Sequence, residues 1–308
     1  MLNEEELVVF SHNDADCAGC MLNIEYAMPE VKKVYFHTNY ANISERVDEI
    51  EAHIQRNGNK HILIADVSFS TNRKDLIRLI SFAKCTIIDH HLYPEGFFDD
   101  LDIKVHHSVD KSATLLCNEY FGNTGKNAKL DLLGEIINAY DIWLVDSPLF
   151  DTGQDFNEYF WKVGIEWLVE EFIKNDYNFP ANYKSTVAKF TAENIKIMQG
   201  LENRNLIHRI GKLTVAFDDA CYNRVIIQEM SNGQAVYVNA NDYGIIRVRI
   251  NAKADLTDEV KVAWRMALSG SADLGHMNAF TYKLQGDPNI DNIMAEMKKV
   301  IDLISKDL

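Results

Sequence analysis

The sequence predicts an α/β protein in which an N-terminal doubly wound, mainly parallel sheet is joined by a helical linker to a smaller α/β C-terminal domain. Three observations lead there. In the first half, short and continuously apolar runs alternate with stretches of helical spacing, the pattern of parallel strands covered on both faces. The turn cluster Asn175-Asp176-Tyr177-Asn178-Phe179-Pro180 closes that half, and one long helical pattern follows it. Beyond the helix the chain returns to strand-like runs and two amphipathic helices. With 308 residues and 47% hydrophobic content, the chain exceeds the usual span of one domain and can fill two cores. The expected division is 1–182, a linker over 183–207, and 208–308.

Residues 7–10, 34–36, 62–66 and 86–89 read as strands, and residues 18–27, 43–55 and 73–82 as the helices between them. In such a sheet the functional site lies at the carboxyl ends of the strands. Residues 130–140 form a helix ending near Asp141, and the aromatic-rich stretch 156–174 reads as helical. Residues 183–203 form the long connector. In the second domain 213–217, 235–239 and 245–250 are strands, while 259–268 and 290–304 are helices. The charged segment 255–261 is a solvated helix start. His106 and His107 read as loop and surface, and Trp143, Trp161 and Trp167 occur at spacings compatible with a helix core.

The longest apolar runs are far too short to cross a bilayer, and the N-terminus opens with three glutamates rather than a basic and then apolar signal pattern, so a soluble, cytoplasmic protein is expected. The five cysteines lack framework spacing, and the Cys17-x-x-Cys20 pair is read as the buried start of the first helix. The formal net charge of -15 disfavours long duplex DNA, which normally meets a basic surface. A small anionic substrate remains compatible, because divalent cations reverse the local sign of a carboxylate-rich pocket.

Ser11-His12-Asn13-Asp14-Ala15-Asp16 follows the first strand. One such cluster is usually a helix cap in a solvated loop. Recurrence changes the reading: Asp66 ends a second strand, Asp89-His90-His91 ends a third, and Asp141 closes a later helix. Several acids at one sheet edge repel one another unless a cation lies among them.

His12-x-Asp14-x-Asp16, Asp66, Asp89-His90-His91 and Asp141 in Tyr140-Asp141-Ile142-Trp143 together resemble the ordered motifs of the DHH phosphoesterases. The short His12-to-Asp14 spacing and Tyr40-Ala41-Asn42-Ile43 most resemble the nanoRNase, or oligoribonuclease, branch of that RecJ-related superfamily. The second domain resembles the DHH-associated C-terminal domain through Arg249 and the segment around Gly275-His276, although Asp273 and Leu274 stand where that family has glycines. Cys17 likewise stands where glycine is common.

The resemblance implies two divalent cations, and a mixed carboxylate and imidazole shell suits manganese. The first metal would take His12, Asp14 and Asp66, and the second Asp16, Asp66, His90 and Asp141, with Asp66 bridging. His91 would face the substrate as a phosphate contact or proton donor, and Asp89 would fix an imidazole tautomer. Arg249, Gly275 and His276 would hold a substrate phosphate, and Ser112 would add a hydroxyl contact.

The expected function is hydrolysis of short RNA or DNA oligonucleotides to mononucleotides by metal-activated water. Alternatives are a cyclic dinucleotide or 3',5'-bisphosphate nucleotide phosphoesterase and, in another class, an inactive nucleotide-binding module. No membrane partner is expected. A homodimer is left open by the apolar helical stretch 160–172.

Overall fold

The computed structural model describes residues 6–40, 42–58, 61–144, 146–217, 232–241, 243–251, 254–269, 278–284 and 287–308. It divides into two compact units, 1–187 and 188–308. The division falls inside one long helix, Tyr183–Asn203. No helix among the described residues is long and apolar enough to cross a membrane.

The first unit contains β1 (Glu6–His12), α1 (Ala15–Ala27), β2 (Lys32–Thr38), α2 (Ile43–Asn57), β3 (His61–Ala65), α3 (Arg73–Phe82), β4 (Lys84–Asp89), β5 (Lys104–His107), α4 (Ala113–Tyr120), α5 (Ala128–Asp141), α6 (Phe150–Val163) and α7 (Ile165–Lys174). All five strands are parallel, in the order β2-β1-β3-β4-β5. The strand order therefore reverses between β1 and β3, and a crevice opens at the carboxyl ends of the strands at such a reversal.

Side-chain alternation explains the continuous apolar runs. Val8 and Phe10 of β1 and Ile62 and Ile64 of β3 enter a core with α2 and α3, while Leu7, Val9, Leu63 and Ala65 enter another with α1 and α4. β1 and β3 thus each feed two cores, and both of their faces must be apolar. A further helical core joins α1 to α5, α6 and α7 through Leu22, Ile137, Phe156, Phe160 and Phe172.

Several local expectations need correction. The helical stretch over 156–174 is two helices, broken at Gly164, whose φ of 82° is open to glycine at little cost. Phe160, Leu168 and Phe172 are buried in this chain's own core. Trp161 and Trp167 are not core residues: they are 57% and 37% exposed. His106 and His107 lie in edge strand β5, which is too short and too exposed to show an apolar run. Cys17 and Cys20 are buried in α1 and free of disulfides, as the sequence led us to expect.

The second unit carries most of α8 (Tyr183–Asn203), then β6 (Ile207–Ile210), β7 (Leu213–Phe217), β8 (Val236–Ala240), β9 (Ile245–Ile250), α9 (Asp258–Ser269), β10 (Ala279–Lys283) and α10 (Ile290–Ile304). Its mixed sheet has the order β10-β9-β8-β7-β6, with β7 and β8 parallel and the other pairs antiparallel. Ile246, Val248 and Ile250 alternate inward from β9. They meet Ile293, Met297, Val300 and Ile304, which form one stripe of α10.

Candidate metal centre

The loop after β1 turns directly into α1. Asp14 is the N-cap: it has extended backbone, and its Oδ1 accepts from the Cys17 amide at 2.9 Å. Its other oxygen accepts from His12 Nδ1 at 2.7 Å. The capping role and the polar cluster therefore coexist in one side chain. Burial raises the Asp14 pKa, but His12 and the Cys17 amide outweigh that, and the group ends below the usual carboxylate range.

Asp16, in the first turn of α1, is buried. Its oxygens accept from the amides of Ala113 at 2.7 Å and Thr114 at 2.9 Å, donors at the start of α4 that have no partner within the helix. This requires α1 and α4 to approach closely. Gly19 permits the approach, because a Cβ there would lie 2.0 Å from Thr114 Oγ1. Burial and the charge of Asp14 push Asp16 up to about 6 despite those amides.

Asp66 follows β3 with φ of 59°, a left-handed conformation that aspartate tolerates at a cost on the order of 1 kcal/mol. Its amide still donates to Ile88 O at 3.0 Å, so the turn comes right at the end of the ladder. Its Oδ1 lies 3.4 Å from His90 Nε2, and its Oδ2 lies 3.9 Å from His12 Nδ1. His90 Nε2 is also 3.4 Å from Asp141 Oδ2 and 3.8 Å from Asp16 Oδ2. Asp141 arrives from the last turn of α5. Burial, then neighbouring carboxylates, hold both Asp66 and Asp141 well above the usual range.

Two sets of donors, His12-Asp14-Asp66 and Asp16-His90-Asp141, each bring their ligating atoms within 4.8 Å of one another. Asp66 Oδ2 and Asp141 Oδ2 are buried without a hydrogen-bond partner. Such an orphaned acceptor costs about 1–3 kcal/mol, more when charged. Divalent cations held by these carboxylates would remove that cost and the mutual repulsion together, so the side chains fit bound metal. A third set, Asp66-His90-His91, meets the same distance limit. His91 is the weaker ligand in it, because its Nδ1 is 2.8 Å from Asp89 Oδ1 and must carry the proton there.

Asp89 organises the rim. It accepts from His91 Nδ1, from the His90 amide at 2.9 Å and from Tyr93 Oη at 2.5 Å. Burial opposes its charge, but His91, His90 and Tyr93 overcome this and hold it low. In return Asp89 raises the His91 pKa against the lowering by burial. The remaining His91 nitrogen, Nε2, lies 2.8 Å from Tyr40 Oη, and the Tyr40 ring also packs at 4.9 Å on His12. His107 Nε2 donates to the His91 carbonyl at 2.6 Å.

Sequence reasoning gave no role to Tyr93 or His107, and none to Tyr40 beyond the motif it begins. The usable signal was proximity: Tyr93 follows the Asp89-His90-His91 triplet by two residues. Tyr93→Phe is expected to lower divalent-cation affinity by about tenfold, the lower end for loss of a supporting hydrogen bond at a metal site. A melting temperature of the metal-free form within a few degrees of the parent, measured alongside, separates positioning from a packing defect.

Ser112 is the N-cap position of α4 and is fully buried, and its amide donates to Asn138 Oδ1 at 2.8 Å. Its hydroxyl is buried without a hydrogen-bond partner. Arg249, in β9 of the second unit, is half-buried and donates through Nη1 to the carbonyls of Val248 at 3.1 Å and Phe280 at 3.4 Å. Gly275 and His276 lie outside the described residues.

No protein-family model matches the chain, and no curated protein does. Solved structures do. An exonuclease RecJ bound to manganese matches with a TM-score of 0.57 and 13% identity, covering 98% of this chain and 90% of that one. RecJ from Thermus thermophilus in complex with Mn2+ matches with a TM-score of 0.59 and 14% identity over 98% of this chain and 52% of that one. This chain therefore spans about half of the Thermus protein. At such identities the likeness establishes architecture: this chain has the α/β fold of RecJ, a parallel five-stranded sheet followed by a smaller mixed-sheet unit.

Proposed function

We propose that the protein is a DHH-type, nanoRNase-like phosphodiesterase that hydrolyses short oligonucleotides to mononucleotides with two divalent cations, manganese by preference. The observation that carries the reading is the meeting of Asp16, Asp66 and Asp141 around His90, with a buried oxygen of Asp66 and of Asp141 left without a hydrogen bond. The manganese-bound RecJ structures of the same fold support it.

In this reading His12, Asp14 and Asp66 hold one ion, Asp16, Asp66, His90 and Asp141 hold the other, and Asp66 serves both. The ions would supply an ionised water near neutral pH and offset charge on the attacked phosphate. Asp89 keeps the proton of His91 on Nδ1 and favours the doubly protonated imidazole. That form suits a donor to the leaving oxygen, with Nε2, beside Tyr40, as the atom that gives up the proton. Asp14 and Asp16 are fixed by amides of two helix starts, so the acids are oriented before substrate arrives.

The formal charge of -15 favours a short substrate over a long duplex. Arg249 is proposed as a phosphate contact. We place the protein in the cytoplasm. The deciding experiment incubates the protein and Mn2+ with labelled dinucleotides, a five-nucleotide RNA, longer single strands, cyclic dinucleotides and 3',5'-bisphosphorylated adenosine. Fastest turnover of the two- to five-nucleotide substrates is expected. Faster turnover of a cyclic dinucleotide or of the bisphosphate would replace the substrate assignment, and no turnover with metal bound would favour a binding module.

A further inference from the structure

At the opposite edge of the parallel sheet, β3, β4 and β5 begin with or near basic residues. The registers His61↔Lys84 and Thr86↔Lys104 put His61, Lys84 and Lys104 on one face. They line a cavity of about 700 Å3 together with Phe82, Asp102 and Tyr120. β3 is five residues long, so roughly 15 Å of sheet separates this cavity from the carboxylate cluster.

The cavity is cationic in a chain where acids outnumber bases, 46 to 31. Like charges side by side on a sheet face oppose folding unless something offsets them. Carboxylates could have done so, yet neither Lys84 nor Lys104 makes an ion pair among the described residues. Lys104 gives its ammonium to Tyr120 Oη at 3.1 Å and lies 4.5 Å from the centre of that ring. His61 Nε2 lies 2.9 Å from Thr86 Oγ1. Burial, then Lys84 and Lys104, hold the His61 imidazole below its ordinary pKa.

The rest of the lining is not that of a simple phosphate cup. Phe82, 37% exposed, and the half-buried Tyr120 both line the cavity and bring two aromatic rings to it. The last turn of α3 ends here, so its final carbonyls offer acceptors. Asp102 moderates the positive charge and disfavours a polyphosphate. The volume lies in the range of small-molecule sites.

We propose that this cavity is a second ligand site that binds a nucleoside monophosphate, with the phosphate against Lys84, Lys104 and His61 and the base against Tyr120 and Phe82. The choice of a nucleotide rests on the proposed function, whose product it would be, whereas the anion site rests on the lining alone.

Calorimetric titration of the full chain with adenosine monophosphate and with inorganic phosphate tests this. Three forms are compared: the parent, Asp66→Asn, and the double variant Lys84→Gln/Lys104→Gln, whose exposed positions spare the fold. Binding of adenosine monophosphate should survive Asp66→Asn unchanged and weaken at least tenfold in the double variant, which should keep the parent rate of oligonucleotide hydrolysis. No binding in the Asp66→Asn form, or equal affinity in the double variant, would overturn the site. Inorganic phosphate binding as tightly as the nucleotide would overturn the nucleotide assignment. Absence of hydrolysis in every form, with the binding pattern intact, would strike the proposed function and leave the site standing.

Discussion

Asp66→Asn is expected to lower phosphodiester hydrolysis by more than about a hundredfold, because loss of a group that merely supports a metal ligand already costs about 10–100-fold. Asparagine keeps the shape and tolerates the φ of 59° at this position, so the fold is preserved. What disappears is the charge that faces both His90 and His12. Bound metal, measured by elemental analysis, should fall below that of the parent. The metal-free variant should melt at or above the parent temperature, since one of several mutually repelling buried carboxylates is gone. Full activity with undiminished metal would remove Asp66 from the centre, and a large fall in melting temperature would recast it as structural.

The second large effect is on stability without metal. The folded pKa of Asp16 is raised to about 6 from 3.8, and Asp66 and Asp141 are raised well above the usual range. A carboxylate with a raised folded pKa binds its proton more tightly in the native state. Its contribution is therefore fully present below the unfolded value and lost as pH rises through the folded one. For Asp16 alone the span corresponds to about 3 kcal/mol. The chelator-treated protein should thus become less stable between pH 4 and about pH 7. Divalent metal should reverse the trend, because each ligand must lose its proton to bind and affinity rises with pH. At pH 8 the difference should reach about 5–10 °C in melting temperature. Parallel melting curves with and without metal across that range would refute the cluster as a cation site.

The sheet was legible in the sequence where strands are buried on both faces. In β1 and β3 every residue from Leu7 to Phe10 and from Ile62 to Ala65 meets one of two cores, so no polar residue interrupts the run. Edge strand β5, with Lys104, His106 and His107, has no such constraint and was read as loop. The cluster was partly legible for a related reason: acids at the ends of buried strands have no structural excuse. Tyr40, Tyr93 and His107 were not legible, because a tyrosine or histidine that holds a carboxylate or a carbonyl looks like any packed ring until its hydroxyl or nitrogen is placed. Trp161 and Trp167 misled in the opposite sense, since helical spacing fixes which residues share a face but not whether it is covered.

The side chains of the cluster come from four places along the chain, the last of them Asp141 at the end of α5. During synthesis the earlier carboxylates leave the ribosome well before the side chain that completes the set. A chain truncated before α5 would carry Asp16 and Asp66 beside His90 without their fourth partner. In the proposed reading, fraying of the final turn of α5 would strip one ligand from the ion held with Asp16, Asp66 and His90, whatever the state of the helices that follow.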